Sequence, residues 1–183
     1  MQIIRLHREK LNEENFDNFI GLLTSSIELT KTRPLDNALI NRLKEDAFSR
    51  NPKYETNLGR IDLEWVAYVI TIMSYSTFMA LPSLLIDEIF VLDNFKNLAI
   101  GITLLEFCKR KANKSGCGKI ELLIPDWNKK SKLFFEFNGA VPVDTTCYQL
   151  DPSVKKIRKP RGKLMYLDFY RDKRTVNFPQ GRV

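Results

Sequence analysis

The chain has 183 residues, 44% hydrophobic and 28% charged, the composition of one globular domain with its own core rather than of a disordered or fibrous chain. Cys108, Cys117 and Cys147 form no C-x-x-C pair and His7 is the single histidine, which argues against a disulfide framework, a structural zinc site and a Ser-His-Asp triad. The net charge of +7 is uneven: residues 1–151 hold 19 Lys and Arg against 20 Asp and Glu, and residues 152–183 hold 10 against 2. That basic arm is either a solvated tail or a binder of anions such as nucleic acid. The first residues, MQIIRLHREK, lack an apolar stretch of signal-peptide length, and the apolar run over residues 65–72 is too short to span a bilayer. The expectation is a reducing, cytoplasmic location with no membrane segment.

In chain order, residues 2–6 are a short apolar strand, leaving His7 just past an edge strand as a surface residue. A helix follows, capped by Asn12, with Phe16, Ile20, Leu23 and Ile27 at helical spacing. Asp36 caps a second helix bearing Leu39, Leu43 and Ala47, ended by Asn51-Pro52. Three β-prone runs come next, over residues 55–60, 64–75 and 83–91, the last introduced by Pro82. Residues 98–114 are helical and stopped by Gly116 and Gly118. Residues 119–124 form a strand ended by Pro125; Asn128 caps a short helix over residues 131–138, closed by Gly139. Residues 141–150 and 164–170 read as further strands, joined by a basic loop. Cys108 and Cys147 are expected to be buried structural thiols, and Trp127 to be core or a packing platform beside Asn128. The order gives one mixed α/β fold.

The stretch from residue 86 to 140 carries the chemistry. A strand runs into the loop LDNFKNLAIG and then a helix, which gathers unpaired N–H groups at a helix start, an anion site. Gly101 permits close approach and Lys96 adds charge. By itself this is a weak signal.

Several ordered motifs together resemble the GNAT acetyltransferase superfamily, and within it the spermidine/spermine N-acetyltransferase-like group. They are Tyr75-Ser76-Thr77-Phe78 between two strands, the run Val91 to Gly101, Asp126-Trp127-Asn128, and Gly139-Ala140 after the helix KKSKLFFEFN; the segment PLDNALINRLKEDAFSRNPKY is similar to that group's second helix. The likeness covers roughly residues 1–150, leaving 151–183 as a basic extension. It implies a central, mixed, mostly antiparallel sheet with fourth and fifth strands splayed at their ends and helices on its faces. It also implies acetyl-CoA as cofactor. The pantetheine arm would pair with the backbone at Ile89, Phe90 and Val91, and the diphosphate would rest on Lys96, Asn97, Leu98, Ala99, Ile100, Gly101 and Ile102. Asn128 would approach from the other side. A backbone N–H near Phe90 would hold the oxyanion while a small amine attacks the thioester directly.

The same resemblance marks three departures. Lys96 stands for an Arg or Gln, giving a point charge and no planar fork. Ala99 replaces a loop glycine. Phe135 replaces the tyrosine that protonates the leaving thiolate, which impairs catalysis but does not forbid it, since a thiol of pKa near ~8.5 leaves tolerably.

Asp87 and Glu88 are adjacent on a strand and so point to opposite faces; one of them serves as base or cation clamp, with Asp87 preferred by motif position, or both are a surface carboxylate and a structural ion pair. Tyr75 and Ser76 either line the acceptor pocket or form a self-satisfied strand end. Three functions compete: an N-acetyltransferase, expected as a homodimer; a degenerate CoA-binding or interaction module; and a nucleic-acid binder using the basic arm.

Overall fold

The computed structural model describes residues 6–30, 34–96, 99–148 and 152. The chain separates into two compact units, Met1–Pro142 and Val143–Val183. The first holds β1 (His7–Lys10), α1 (Phe16–Thr30), α2 (Asn37–Phe48), β2 (Glu55–Ile61), β3 (Glu64–Ser76), β4 (Leu81–Val91), α3 (Ile100–Lys114), β5 (Lys119–Leu122) and α4 (Lys129–Phe137). The sheet order is β1-β2-β3-β4-β5; the first three pairings are antiparallel and β4–β5 is parallel. This is the mixed α/β sheet the sequence leads one to expect.

Helices cover both faces of the central strands, which explains the nearly unbroken apolar run of β3. Ala67 and Val69 are buried in a core with Leu84, Ile86, Val91 and the α3 residues Ile100, Leu104 and Cys108, flanked by Phe134 and Phe135. Tyr68 and Ile70 are buried in the other core with Phe16, Phe19 and Leu22 of α1, Leu58 and Phe90. At about 1.5–3 kcal/mol for each large apolar side chain removed from water, these two layers fix the sheet between the helices.

Local chemistry sets the ends. The Asp36 carboxylate accepts the Leu39 N–H at 2.8 Å and starts α2. Asn12 and Asn15 exchange side-chain-to-backbone hydrogen bonds of 3.0 and 2.8 Å, a reciprocal box one turn ahead of α1. Gly116 at φ +65° and Gly139 at φ +90° close α3 and α4.

Some expectations need correction. Residues 2–5 of the first expected strand lie outside the described residues; among the described residues β1 is His7–Lys10, so His7 lies within a strand, exposed as expected. Residues 141–148, read as the start of a strand, have no regular structure, and Cys147 is exposed; the valines at 141 and 143 are 80% and 76% exposed, so no second layer buries them. Trp127 is not core: it is 64% exposed. α3 begins at Ile100 rather than 98, because Ala99 takes a left-handed conformation that cannot continue a helix. The expected strand over residues 164–170 and the basic segment of the C-terminal extension lie outside the described residues.

Candidate active site

β4 is the organising element. Its register with β3 passes from Ile70↔Glu88 to Thr71↔Ile86, so Asp87 is an extra residue in a β-bulge. The bulge reverses the alternation. Leu84 and Ile86 face the α3 layer, and so do Ile89 and Val91, while Phe90 faces the α1 layer. Glu88 turns the same way and accepts a hydrogen bond from Ser26 of α1. Asp87 is left exposed. A strict two-residue period would put Glu88 on the α3 side with Ile86; the inserted residue moves it across the sheet.

The parallel partner of β4 stops early. β5 pairs with β4 only from Ser83↔Lys119 to Ile86↔Leu122. Beyond that point Asp87 to Val91 have no β5 residue opposite them, and a backbone edge at Ile89 to Val91 is available for an extended ligand. These are the residues that sequence reasoning assigned to a pantetheine arm.

α3 begins at the far end of that edge, after a short 3₁₀ turn, Asp93–Phe95. Ala99 has φ 55° and ψ 18°, with no side-chain cap. The first ladder bond of the helix runs from the Thr103 N–H to the Ala99 carbonyl at 3.0 Å, so the N–H groups of Ile100, Gly101 and Ile102 precede the ladder. A Cβ at Gly101 would sit 3.2 Å from the Phe134 ring, so any larger residue there requires that ring to give by a few tenths of an ångström. Lys96 is engaged: its ammonium pairs with Asp93, holding that carboxyl below its ordinary range. Asn97 and Leu98 lie outside the described residues. The exposed backbone edge and the open helix start fit an extended thiol arm ending in a diphosphate.

Phe135 of α4 packs against the core that holds Ile89, Val91 and Ile100, and Asn128 is the residue that caps α4. The Asn128 side-chain Oδ1 does so by accepting the Ser131 N–H at 3.1 Å. Phe135 is half-buried beside Phe134, ring centroids 5.1 Å apart at 77°, and offers no hydroxyl.

On the opposite face, Tyr68 is fully buried and stacks against Phe90 with centroids 5.4 Å apart. Burial, then the Glu88 charge, push its phenol above the ordinary value, so it stays protonated. Its hydroxyl neighbours Ser26 and Glu88 but has no well-aligned partner. Neither Ser26 nor Tyr68 stood out in the sequence. The signal for Ser26 was available: it is a hydroxyl on the stripe Phe19, Leu22, Ser26 that α1 buries. Tyr75 and Ser76 sit at the tip of the β3–β4 hairpin, Tyr75 60% exposed, and the Ser76 hydroxyl accepts the Met79 N–H at 3.4 Å. The structure does not bring them to the Glu88 cluster. Among the described residues no group of three or more His, Cys, Asp or Glu side chains could hold a metal, and no helix is long and apolar enough to cross a membrane.

Several solved acetyltransferase structures share this fold. Among solved structures, an integron cassette protein from V. cholerae superimposes with a TM-score of 0.71 at 12% identity, over 81% of this chain and 93% of that one. Ribosomal-protein-alanine N-acetyltransferase from Brucella melitensis biovar Abortus 2308 gives 0.67 at 22% identity, covering 80% and 99%. The aminoglycoside N-acetyltransferase AAC(6')-Iy, solved in complex with CoA, gives 0.67 at 14% identity, covering 81% and 96%. L-ornithine N5-acetyltransferase NATA1 of Arabidopsis thaliana is 29% identical over 79 residues, 43% of this chain and 35% of that protein. No family model matches the chain.

Proposed function

We propose that this chain is an acetyl-CoA-dependent N-acetyltransferase of the GNAT type, acting on a small amine by direct attack. One observation carries the reading: β5 leaves β4 at Ile86, so the β4 edge at Ile89 to Val91 has no β5 partner, and a helix start with no side-chain cap follows at Ile100 to Ile102. Acetyl-CoA supplies the activated acyl group. The chain's own backbone holds the arm against β4, and the first N–H groups of α3 bind the diphosphate. The bulge at Asp87 frees main-chain groups beside the reacting carbonyl, where an N–H can stabilise developing negative charge.

Glu88 rather than Asp87 is the carboxylate for the amine. It reaches the acceptor face through the bulge and is held there by Ser26, whereas Asp87 is exposed. An ammonium must lose its proton before attacking, and Glu88 takes that proton directly or through water. No side-chain acid at Phe135 returns a proton to the departing thiolate, which leaves unassisted or is protonated by solvent. The likeness to ornithine N5-acetyltransferase and the resemblance to spermidine/spermine acetyltransferases both favour a diamine-like acceptor. A homodimer belongs to this reading through that resemblance, and a cytoplasmic location through the three unpaired cysteines.

The test is calorimetric titration with CoA, followed by radiolabelled acetyl-CoA with ornithine, putrescine, spermidine and an N-terminal alanine peptide. Binding of CoA with transfer to a diamine is the expected result. CoA binding without transfer to any amine would leave a binding module, and no CoA binding would leave only the fold.

A further inference from the structure

A separate cavity of about 460 Å³ lies between α3 and the β1–β2 edge, lined by Arg8 and Lys10 of β1, Glu55 of β2, and Arg110, Lys111 and Lys114 of α3. Gly101 and Arg110 are nine residues apart on one helix, roughly 14 Å along its axis, so the cavity stands well away from the helix start described above. Its volume is in the range of small-ligand sites.

The charge balance is one-sided. Lys111 is satisfied, donating to Thr71 Oγ1 at 2.8 Å and pairing with Glu55 at 3.1 Å. Glu55 is the one carboxylate in the lining. Among the described residues, no carboxylate pairs with Arg8, Lys10, Arg110 or Lys114. The Arg8 guanidinium lies 4.0 Å over the Phe107 ring, which fixes its plane at the cavity wall. Desolvation, then the neighbouring Arg110 charge, lower the Arg8 pKa, so the two guanidiniums feel each other, although Arg110 also feels the Glu106 carboxylate on its own helix.

The geometry points to a second anion site on this chain, built by Arg8, Lys10, Arg110 and Lys114 for a small ligand carrying two or more phosphate groups. Two arginine forks side by side suit the several oxygens of linked phosphates better than a lone carboxylate. The groove is open and its four cations are exposed, but they gather in one compact patch, which suits a small polyanion better than the extended stripe that a nucleic-acid backbone needs. This site is independent of the transferase reading.

Inorganic tripolyphosphate is the probe, titrated calorimetrically into the full chain at low and at physiological salt. Binding is expected, weakened about tenfold or more in the double variant Arg8→Ala/Arg110→Ala, because each charge-assisted hydrogen bond is worth that much. Saturating CoA should leave tripolyphosphate affinity unchanged, and the double variant should bind CoA as the unmodified chain does. Should the double variant melt early, Lys114→Glu, an exposed single change, is expected to weaken tripolyphosphate about tenfold and carries the same test. Absence of binding, equal affinity in the variants, displacement by CoA, or binding only of long RNA or DNA with a steep salt slope would each overturn the inference. If CoA itself fails to bind, the tripolyphosphate result still decides this site, so the two readings fail separately.

Discussion

Ser26 of α1 donates its hydroxyl proton to Oε1 of Glu88 on β4, joining residues 62 positions apart across the face of the sheet that α1 covers. The contact exists because the bulge at Asp87 turns Glu88 toward α1, and it aims the carboxylate at the face from which an amine would arrive. Glu88→Gln keeps the shape and removes the base. It should lower kcat/KM for the amine by about a hundredfold or more while leaving CoA affinity within about twofold. Asp87→Asn should change kcat/KM by less than about threefold, well under a general base's contribution. The reverse ranking in steady-state kinetics would return the role to Asp87.

Removing the hydroxyl tests the support of that carboxylate. Ser26→Ala leaves a half-buried carboxylate without its donor, at a cost of about 1–3 kcal/mol in denaturant unfolding. Tyr68→Phe is the contrast: its buried hydroxyl has no well-aligned partner, so its removal should cost under about 1 kcal/mol. A larger loss in Tyr68→Phe than in Ser26→Ala would show that the phenol, and not the serine, holds Glu88.

Phe135 supplies packing where the resemblance leads one to expect a proton-donating tyrosine. It sits half-buried beside Phe134, so a hydroxyl on its ring displaces no buried partner. Phe135→Tyr should raise kcat about tenfold, the low end of a general acid's contribution, with little change in KM for the amine. An unchanged kcat would mean either that thiolate departure is not limiting or that the ring does not face the thiol.

The left-handed Ala99 at the mouth of α3 can be relieved. A non-glycine residue there costs about 1–2 kcal/mol, and glycine gives back part of the gain through unfolded-chain entropy, roughly 0.4–1 kcal/mol. Ala99→Gly should therefore stabilise the chain by about 0.5 kcal/mol and raise Tm by roughly 1–2 °C. Destabilisation in thermal melts would show that the alanine methyl packs usefully.

Local signals were legible where the physics is local. The Asp36 cap, the Asn128 cap, the closing glycines at 116 and 139 and the apolar runs of β3 and β4 all follow from residue type and spacing. The facing of Glu88 was not legible, because a bulge is set by the pairing of two strands and leaves no mark on the alternation itself. The cavity of Arg8 and Arg110 was hidden for a similar reason: it takes cations from β1 and α3, about a hundred residues apart, which only the sheet brings together. The same limit applied to residues 141–148, whose β-prone valines found no partner strand among the described residues.

Cys108 gives the last prediction. Its side chain is fully buried in the α3 core, and burial pushes the thiol up from 9.0 to about 11. The folded pKa is raised, so the neutral thiol's contribution is complete below pH 9 and is lost as pH climbs through 11. A shift of about two units corresponds to about 3 kcal/mol, since each unit is about 1.4 kcal/mol. Tyr54, pushed up to about 12 by burial and Asp46, adds to the loss at the top of that range. Denaturant unfolding from pH 8 to 11 should show this fall in the unmodified chain, and Cys108→Val, which keeps the volume without the proton, should flatten it by about 3 kcal/mol. Equal slopes in the two proteins would mean that the thiol ionises no differently in the folded and unfolded chains.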